Sequence, residues 1–218
     1  MVLSDKEIVR ALLNEEIVIT PLMNAKKQIG SSSIDVRLGT EFNLIRTIKK
    51  THFDLSLTPE QMREQVREYV EIIHVHPMEA FILHPDEFAL ASTLEYIKLP
   101  NNIAGRLEGR STWGRVGLQV HSTAGFVDPG FEGTLTFELH NMGKLPIPLY
   151  PGVRVAQISF HRCASACETY AEKSGAKYAK STGTKYTMFY EDYEYTQIQK
   201  FLLKKRETSV EDISDIST

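Results

Sequence analysis

Cysteine is scarce in this chain. Two occur among 218 residues, Cys163 and Cys167, with no further Cys or His around them at zinc-ligand spacing. Two reduced small side chains are the expectation, and a disulfide framework is not. Long apolar runs are missing too, and the opening Met1-Val-Leu-Ser-Asp-Lys6 lacks a basic region followed by an apolar stretch. No membrane association and a cytoplasmic residence are therefore expected. There is no basic excess: 25 Lys and Arg stand against 28 Asp and Glu, a formal net charge of −3, which argues against a nucleic-acid partner. No internal repeat is present.

What is present is enough apolar sequence for one core, so one domain over residues 1–190 is expected, followed by a charged, partly disordered tail over 191–218. Ser4-Asp-Lys-Glu7 reads as a capping box opening an amphipathic helix through Ile8, Leu12 and Leu13, ending near Asn14. Ser33-Ile-Asp-Val-Arg-Leu-Gly39 alternates as a strand with one buried face does. Thr58-Pro-Glu60 opens a short exposed helix running to Tyr69.

Beyond that the chain is nearly all β. Turn signals recur at His84-Pro-Asp86, Pro100-Asn-Asn102, Asp128-Pro-Gly130, Asn141-Met-Gly143 and Tyr150-Pro-Gly152, spacing that predicts a sandwich or barrel of jelly-roll character. From about 169 to 190 Gly, Ser, Lys and Tyr dominate, which reads as a mobile cationic arm. After about Lys204 the polar, charge-rich sequence predicts little fixed structure.

The chemistry concentrates between Gly105 and Phe160. Arg110, Ser111 and Arg115 lie where an apolar strand gives way to a Gly-containing turn; two guanidinium groups, a hydroxyl and free N–H groups suit a polyphosphate, though two surface ion pairs would look the same. Glu138, inside Leu135-Thr-Phe-Glu-Leu139, is read as a carboxylate in a buried strand, costly unless paired or tuned for proton transfer. Asp128-Pro-Gly-Phe131 is first a turn, and second a loop that can offer a carboxylate and a ring to a sugar. His74, His76 and His84 lack a Glu at ligand spacing and are read as surface or loop residues.

These segments together resemble the dCTP deaminases of the trimeric dUTPase superfamily. The likeness is carried by Leu3-Ser-Asp-Lys6, Ser31-Ser-Ser-Ile-Asp-Val-Arg-Leu-Gly39, Phe81-Ile-Leu-His-Pro-Asp-Glu-Phe88, Leu99-Pro100, Leu107-Glu-Gly-Arg-Ser-Thr-Trp-Gly-Arg115, His121-Ser-Thr-Ala-Gly-Phe-Val-Asp-Pro-Gly-Phe-Glu-Gly133, Leu135-Thr-Phe-Glu138, Gly143-Lys-Leu-Pro146 and Ala176-Lys-Tyr178. It implies a mainly β, distorted jelly-roll-like barrel of dUTPase-like, β-clip type with a short N-terminal helix. It also implies a homotrimer with active sites between subunits, and zinc-independent hydrolytic deamination of dCTP. The zinc-deaminase signature is indeed absent, since no histidine is followed two residues on by Glu and the Cys spacing is wrong.

By the same resemblance Glu138 is general base and then acid, Ser111 and Arg115 stabilise developing charge, and the Ala124 carbonyl orients the water. Arg110 with Ser111, Thr112, Trp113 and Gly114 would hold phosphates, Asp128 and Phe131 the sugar, and the backbone of Thr136 and Phe137 the base edge. Gln157, Tyr170 and Lys177 would close over the triphosphate with its Mg²⁺. Ser181 stands where the family often has glutamine, with Lys180, Thr182 or Lys185 as compensating groups. Release of dUTP is the first expectation, and further cleavage to dUMP and pyrophosphate is the alternative. Gly125-Phe126, in place of a bulky His-Arg pair, looks like the bifunctional members, with space at Gly125 for a second water. His121 lies where relatives switch loop arrangement, so inhibition by dTTP is expected to act through it.

Overall fold

The structure is a computed structural model that describes residues 1–46, 52–164, 170, 177 and 180–202. Cys167, most of the expected arm from Ser174 to Ala179 and the tail beyond Leu202 lie outside the described residues. In chain order the helices are α1 (Asp5–Leu13), α2 (Ala25–Gln28), α3 (Pro59–Tyr69) and α4 (Ser111–Gly114). The strands are β1 (Val18–Thr20), β2 (Ser33–Ile45), β3 (Val70–His74), β4 (Phe81–Leu83), β5 (Phe88–Lys98), β6 (Ile103–Gly109), β7 (Leu118–Gln119), β8 (Phe126–Val127), β9 (Glu132–Asn141), β10 (Ile147–Leu149) and β11 (Arg154–Arg162).

The chain divides into two compact units. One comprises Met1–Ile45 with Ile72–Lys185, the other Arg46–Glu71 with the chain from Tyr186 onward. The first unit is the mainly β fold that was expected. Its strands follow the path β7-β9-β5-β2-β11-β6-β8, with β1 added on β5 and a separate β10-β4 pair. The curl comes from β2, which pairs β11 through Ser33–Arg37 and then β5 through Leu38–Leu44. A register shift between Leu38 and Phe42 lets one long strand serve both halves, as bulges do when they bend a sheet.

Apolar side chains of both halves meet inside this curl. Phe42, Phe137 and Phe160 are fully buried, and Phe42 stacks on Phe81 at 4.3 Å. Burying a large side chain of this kind contributes about 1.5–3 kcal/mol. Strand β9 alternates strictly: Leu135, Phe137 and Leu139 point into the core, while Glu132, Thr134, Thr136, Glu138 and His140 share the half-exposed face. The capping box at Ser4 and Glu7 forms, closing the N-terminus of α1 with a 2.8 Å bond from the Ser4 N–H. Its buried face is Ile8 and Ala11; Leu13 is exposed, because the helix is already ending there.

The second unit corrects the reading of 58–69 as an exposed helix. Helix α3 does start on the Thr58-Pro59 signal, capped reciprocally with Gln61, but it buries Met62, Gln65, Val66 and Tyr69. Phe53 packs on Tyr69 (4.7 Å) and Phe189 (5.9 Å), Phe189 meets Tyr195, and the Arg63 guanidinium sits over the Tyr190 ring. Residues 193–202, read as tail, are helical and bury Gln199. The apolar stripe of a short helix shows only where a partner arrives from far along the chain.

Candidate active site

Glu138 stands mid-strand on β9, yet on the half-exposed face, so it is not the buried carboxylate that its apolar neighbours suggested. Strand alternation puts Phe137 and Leu139 inward and leaves the residue between them facing outward. Its Oε2 accepts two backbone N–H groups, from Ser122 at 2.6 Å and Thr123 at 3.2 Å, while its own N–H donates to the Val120 carbonyl at 3.0 Å. A carboxylate gripped by two amides of one loop has a fixed direction, which a proton-transfer group needs.

The buried strand carboxylate is Glu95, which the sequence reading missed. It is 0 % exposed on β5 and accepts from the Arg37 N–H (2.7 Å), the Arg37 guanidinium (3.3 Å) and the Gln28 amide (3.1 Å). Burial pushes its carboxyl above the usual range, with the Arg37 bonds pulling the other way. The signal applied to Glu138, a charge inside an apolar strand, belongs equally to Thr93-Leu-Glu95-Tyr-Ile97.

The loop gripping Glu138 is itself tightly held. Gly125 is buried and its carbonyl accepts the Leu107 N–H at 2.7 Å. A Cβ at Gly125 would lie 2.9 Å from both the Leu107 carbonyl oxygen and His121 Cε1. A side chain at this position would collide with the β6 backbone and the His121 ring, and this close packing is what requires glycine here. His121 is half-buried, its Nε2 3.7 Å from a Glu108 oxygen and its Nδ1 buried without a hydrogen-bond partner among the described residues. Arg106, 2.6 Å from Glu108, holds that carboxyl below the usual range. Ser122, Thr123 and Ala124 are exposed.

Arg110 to Arg115 form a second group. Arg110 is the N-cap of α4, and Ser111, Thr112, Gly114 and Arg115 are exposed around that single turn. Trp113 packs, partly buried, against the core, its Nε1 donating to the Arg154 carbonyl at 3.0 Å. The same carbonyl takes Arg110 Nη1 at 3.0 Å, and Arg110 Nε meets Asp35 Oδ2 at 3.2 Å. Gln157, on β11 in register with Asp35 and Glu108, accepts from Ser33 Oγ at 2.9 Å. Asp35 and Ser33 were missed as site-building residues; their signal was the polar half of the alternation Ser33, Asp35, Arg37.

A third group surrounds the Asp128–Phe131 turn. Asp128 is exposed, whereas Phe131 is only 8 % exposed and packs into the core, its ring 6.0 Å from that of Tyr170. The Tyr170 N–H donates to the Pro129 carbonyl at 3.0 Å, so this tyrosine does join the turn. Of the arm, Ser181 to Lys185 runs along the Glu138 face of β9. Thr134 N–H donates to the Ser181 carbonyl (3.0 Å), Thr134 Oγ1 to the Gly183 carbonyl (3.3 Å), and the Lys185 N–H to Thr136 Oγ1 (3.5 Å). Thr184 latches the arm to Glu41 with two 3.0 Å bonds. Lys177 is half-buried. Phe137 is wholly buried, leaving Thr136 as the side chain on the site face.

Known proteins share this arrangement of sequence. A dCTP deaminase-like family model matches residues 2–163. The dUMP-forming dCTP deaminase of Methanobrevibacter smithii is 45 % identical over 195 residues, covering 88 % of this chain and 97 % of that protein. That of Corynebacterium kroppenstedtii is 46 % identical over 185 residues, covering 84 % and 94 %. In three dimensions the 2′-deoxycytidine 5′-triphosphate deaminase of Agrobacterium tumefaciens aligns with a TM-score of 0.56 at 16 % identity, over 77 % of this chain and about half (49 %) of that longer one, a likeness of fold. With the family model spanning most of the chain and both relatives covered nearly end to end, the chain belongs to the dCTP deaminase-like family.

Proposed function

We propose that this protein is a hydrolase that deaminates dCTP and carries the product on to dUMP and pyrophosphate. The observation that carries the chemistry is the Glu138 carboxylate, fixed through Oε2 by the Ser122 and Thr123 amides on the open face of β9. With Oε2 so engaged, Oε1 is assigned the proton work. It takes a proton from water as the oxygen attacks C4 of cytosine and passes it to the ring nitrogen. It then takes the proton of the new C4 hydroxyl and passes it to the amino group, which leaves as ammonia while C4=O forms. One water is consumed and dUTP is formed. A second water then attacks the α-phosphorus and pyrophosphate departs.

In this reading Ser111 and Arg115 stabilise the charge that develops at C4, and the Ala124 carbonyl orients the first water. Arg110 and the α4 turn bind the phosphates of the Mg²⁺ complex of the substrate, with Gln157, Tyr170, Lys177 and Ser181 closing over them. Asp128 and the backbone of the Phe131 turn hold the sugar. The base edge falls to the Thr136 and Phe137 backbone. The order of the two product expectations is corrected: both close relatives are named as dUMP-forming, so cleavage to dUMP is favoured over release of dUTP. A homotrimer with shared sites, and dTTP inhibition through His121, belong to the same proposal.

The test is incubation with dCTP and Mg²⁺, following ammonia, dUTP, dUMP and pyrophosphate together, with Glu138→Gln alongside. Ammonia with dUMP and pyrophosphate, and no free dUTP, is expected from the wild type. Ammonia release should drop at least about 100-fold in the variant, the lower scale of general acid–base catalysis. Accumulating dUTP would restore the simple deaminase, and no ammonia from wild type would remove both.

A further inference from the structure

The strand segment Ser33–Arg37 takes no part in the chemistry proposed above, yet its polar face reaches directly under the phosphate-binding group. Asp35 Oδ2 meets Arg110 Nε at 3.2 Å and Arg154 Nη1 at 3.0 Å, and the Asp35 side chain is only 15 % exposed. The Arg154 carbonyl in turn accepts from Arg110 Nη1 at 3.0 Å. Two atoms of the Arg110 fork are therefore held by protein, from two different strands.

We infer that Asp35 is the positioning residue of Arg110, fixing its guanidinium before substrate arrives. This rests on the reading that Arg110 binds phosphate. With Nε and Nη1 engaged, Nη2 is the nitrogen turned to the ligand, and a planar guanidinium held at two points has little rotation left to lose. Charge supports the assignment. Among the described residues Asp35 is the carboxylate paired with both Arg110 and Arg154, so the cluster of three keeps one positive charge, suited to an anionic ligand. Asp35 is itself held in place: its carbonyl accepts the Gln28 amide at 3.1 Å, and Ser33, two residues before it on the same strand, donates its hydroxyl to Gln157 Oε1 at 2.9 Å.

The experiment is steady-state kinetics on dCTP and dCMP for wild type, Asp35→Asn, Arg110→Ala and the double variant, in the presence of Mg²⁺. The expected result for Asp35→Asn is a rise in KM for dCTP on the order of tenfold, with kcat changed less and preference for dCTP over dCMP reduced, the scale of one charge-assisted hydrogen bond. In the Arg110→Ala background the Asp35 substitution should add nothing, because residues acting through one another are not additive. A KM rise below about threefold, or an effect that persists in that background, overturns the inference. If Arg110→Ala alone leaves KM unchanged, it is the phosphate role of Arg110 that fails. Should Asp35→Asn not fold, as judged by circular dichroism, Asp35→Glu keeps the charge, displaces it from Arg110, and is read against the same thresholds.

Discussion

Adding one methyl group at Gly125 tests how the loop that grips Glu138 is held. In Gly125→Ala the new carbon would lie 2.9 Å from the Leu107 carbonyl oxygen and 2.9 Å from His121 Cε1. The ring can swing away; the carbonyl belongs to β6 and cannot. If the loop stays in place, overpacking of this kind costs about 1–3 kcal/mol. For a chain of this size that is a fall in melting temperature of roughly 2–12 °C. If instead the loop slides off β6, the strain is relieved but the Ser122 and Thr123 amides leave Glu138. A hydrogen bond to a charged group contributes about 1.5–3 kcal/mol, so losing the 2.6 Å bond lowers kcat for ammonia release by about ten- to a hundredfold. Calorimetry and an ammonia assay on the same preparation separate the two routes. A melting point within about 1 °C of wild type together with ammonia release within about twofold would refute the reasoning, because neither route would have been taken.

Gly133 has φ 151°, and a Cβ there would stand 2.6 Å from the Ser181 carbonyl oxygen. Gly133→Ala is therefore expected to lift Ser181–Lys185 off β9, speeding tryptic cleavage at Lys180 and Lys185 and raising KM for dCTP by about tenfold, one or two lost hydrogen bonds; unchanged cleavage would show that the arm is held elsewhere. Thr184→Val removes the hydroxyl bonded to the Glu41 carbonyl and should raise the same cleavage rate by a few-fold, on the order of 1 kcal/mol, with Thr184→Ser restoring it. For Glu95 the folded carboxyl is raised above its unfolded value of about 4.5, so the folded state binds more protons and this group's contribution to stability falls as pH rises through that window. The stability of wild type relative to Glu95→Gln, from urea midpoints, should decline from pH 4.5 toward 7, and a difference independent of pH would remove burial as the dominant effect.

Signals that act over a few residues were legible in the chain by itself. The capping box of Ser4 with Glu7 and the Thr58-Pro59 opening start helices where they were expected, since both signals lie within one turn. The alternation of Ser33–Gly39 and the recurring Pro, Gly and Asn turns were sufficient for a mainly β fold, and the density of Arg, Ser, Asp and Glu between Gly105 and Phe160 singled out the candidate region. Tertiary structure decided which face each charge took. Glu138 and Glu95 look alike in sequence, each a lone carboxylate in an apolar strand; one faces outward to two loop amides, and the other is sealed under Arg37 and Gln28. Arg154 reaches Asp35 from 119 positions away, and α3 buries its apolar stripe in a unit completed by residues beyond Tyr186. A charge's surroundings, and so its cost and its use, are supplied by neighbours distant in the chain, and local pattern carries no record of which neighbours those are.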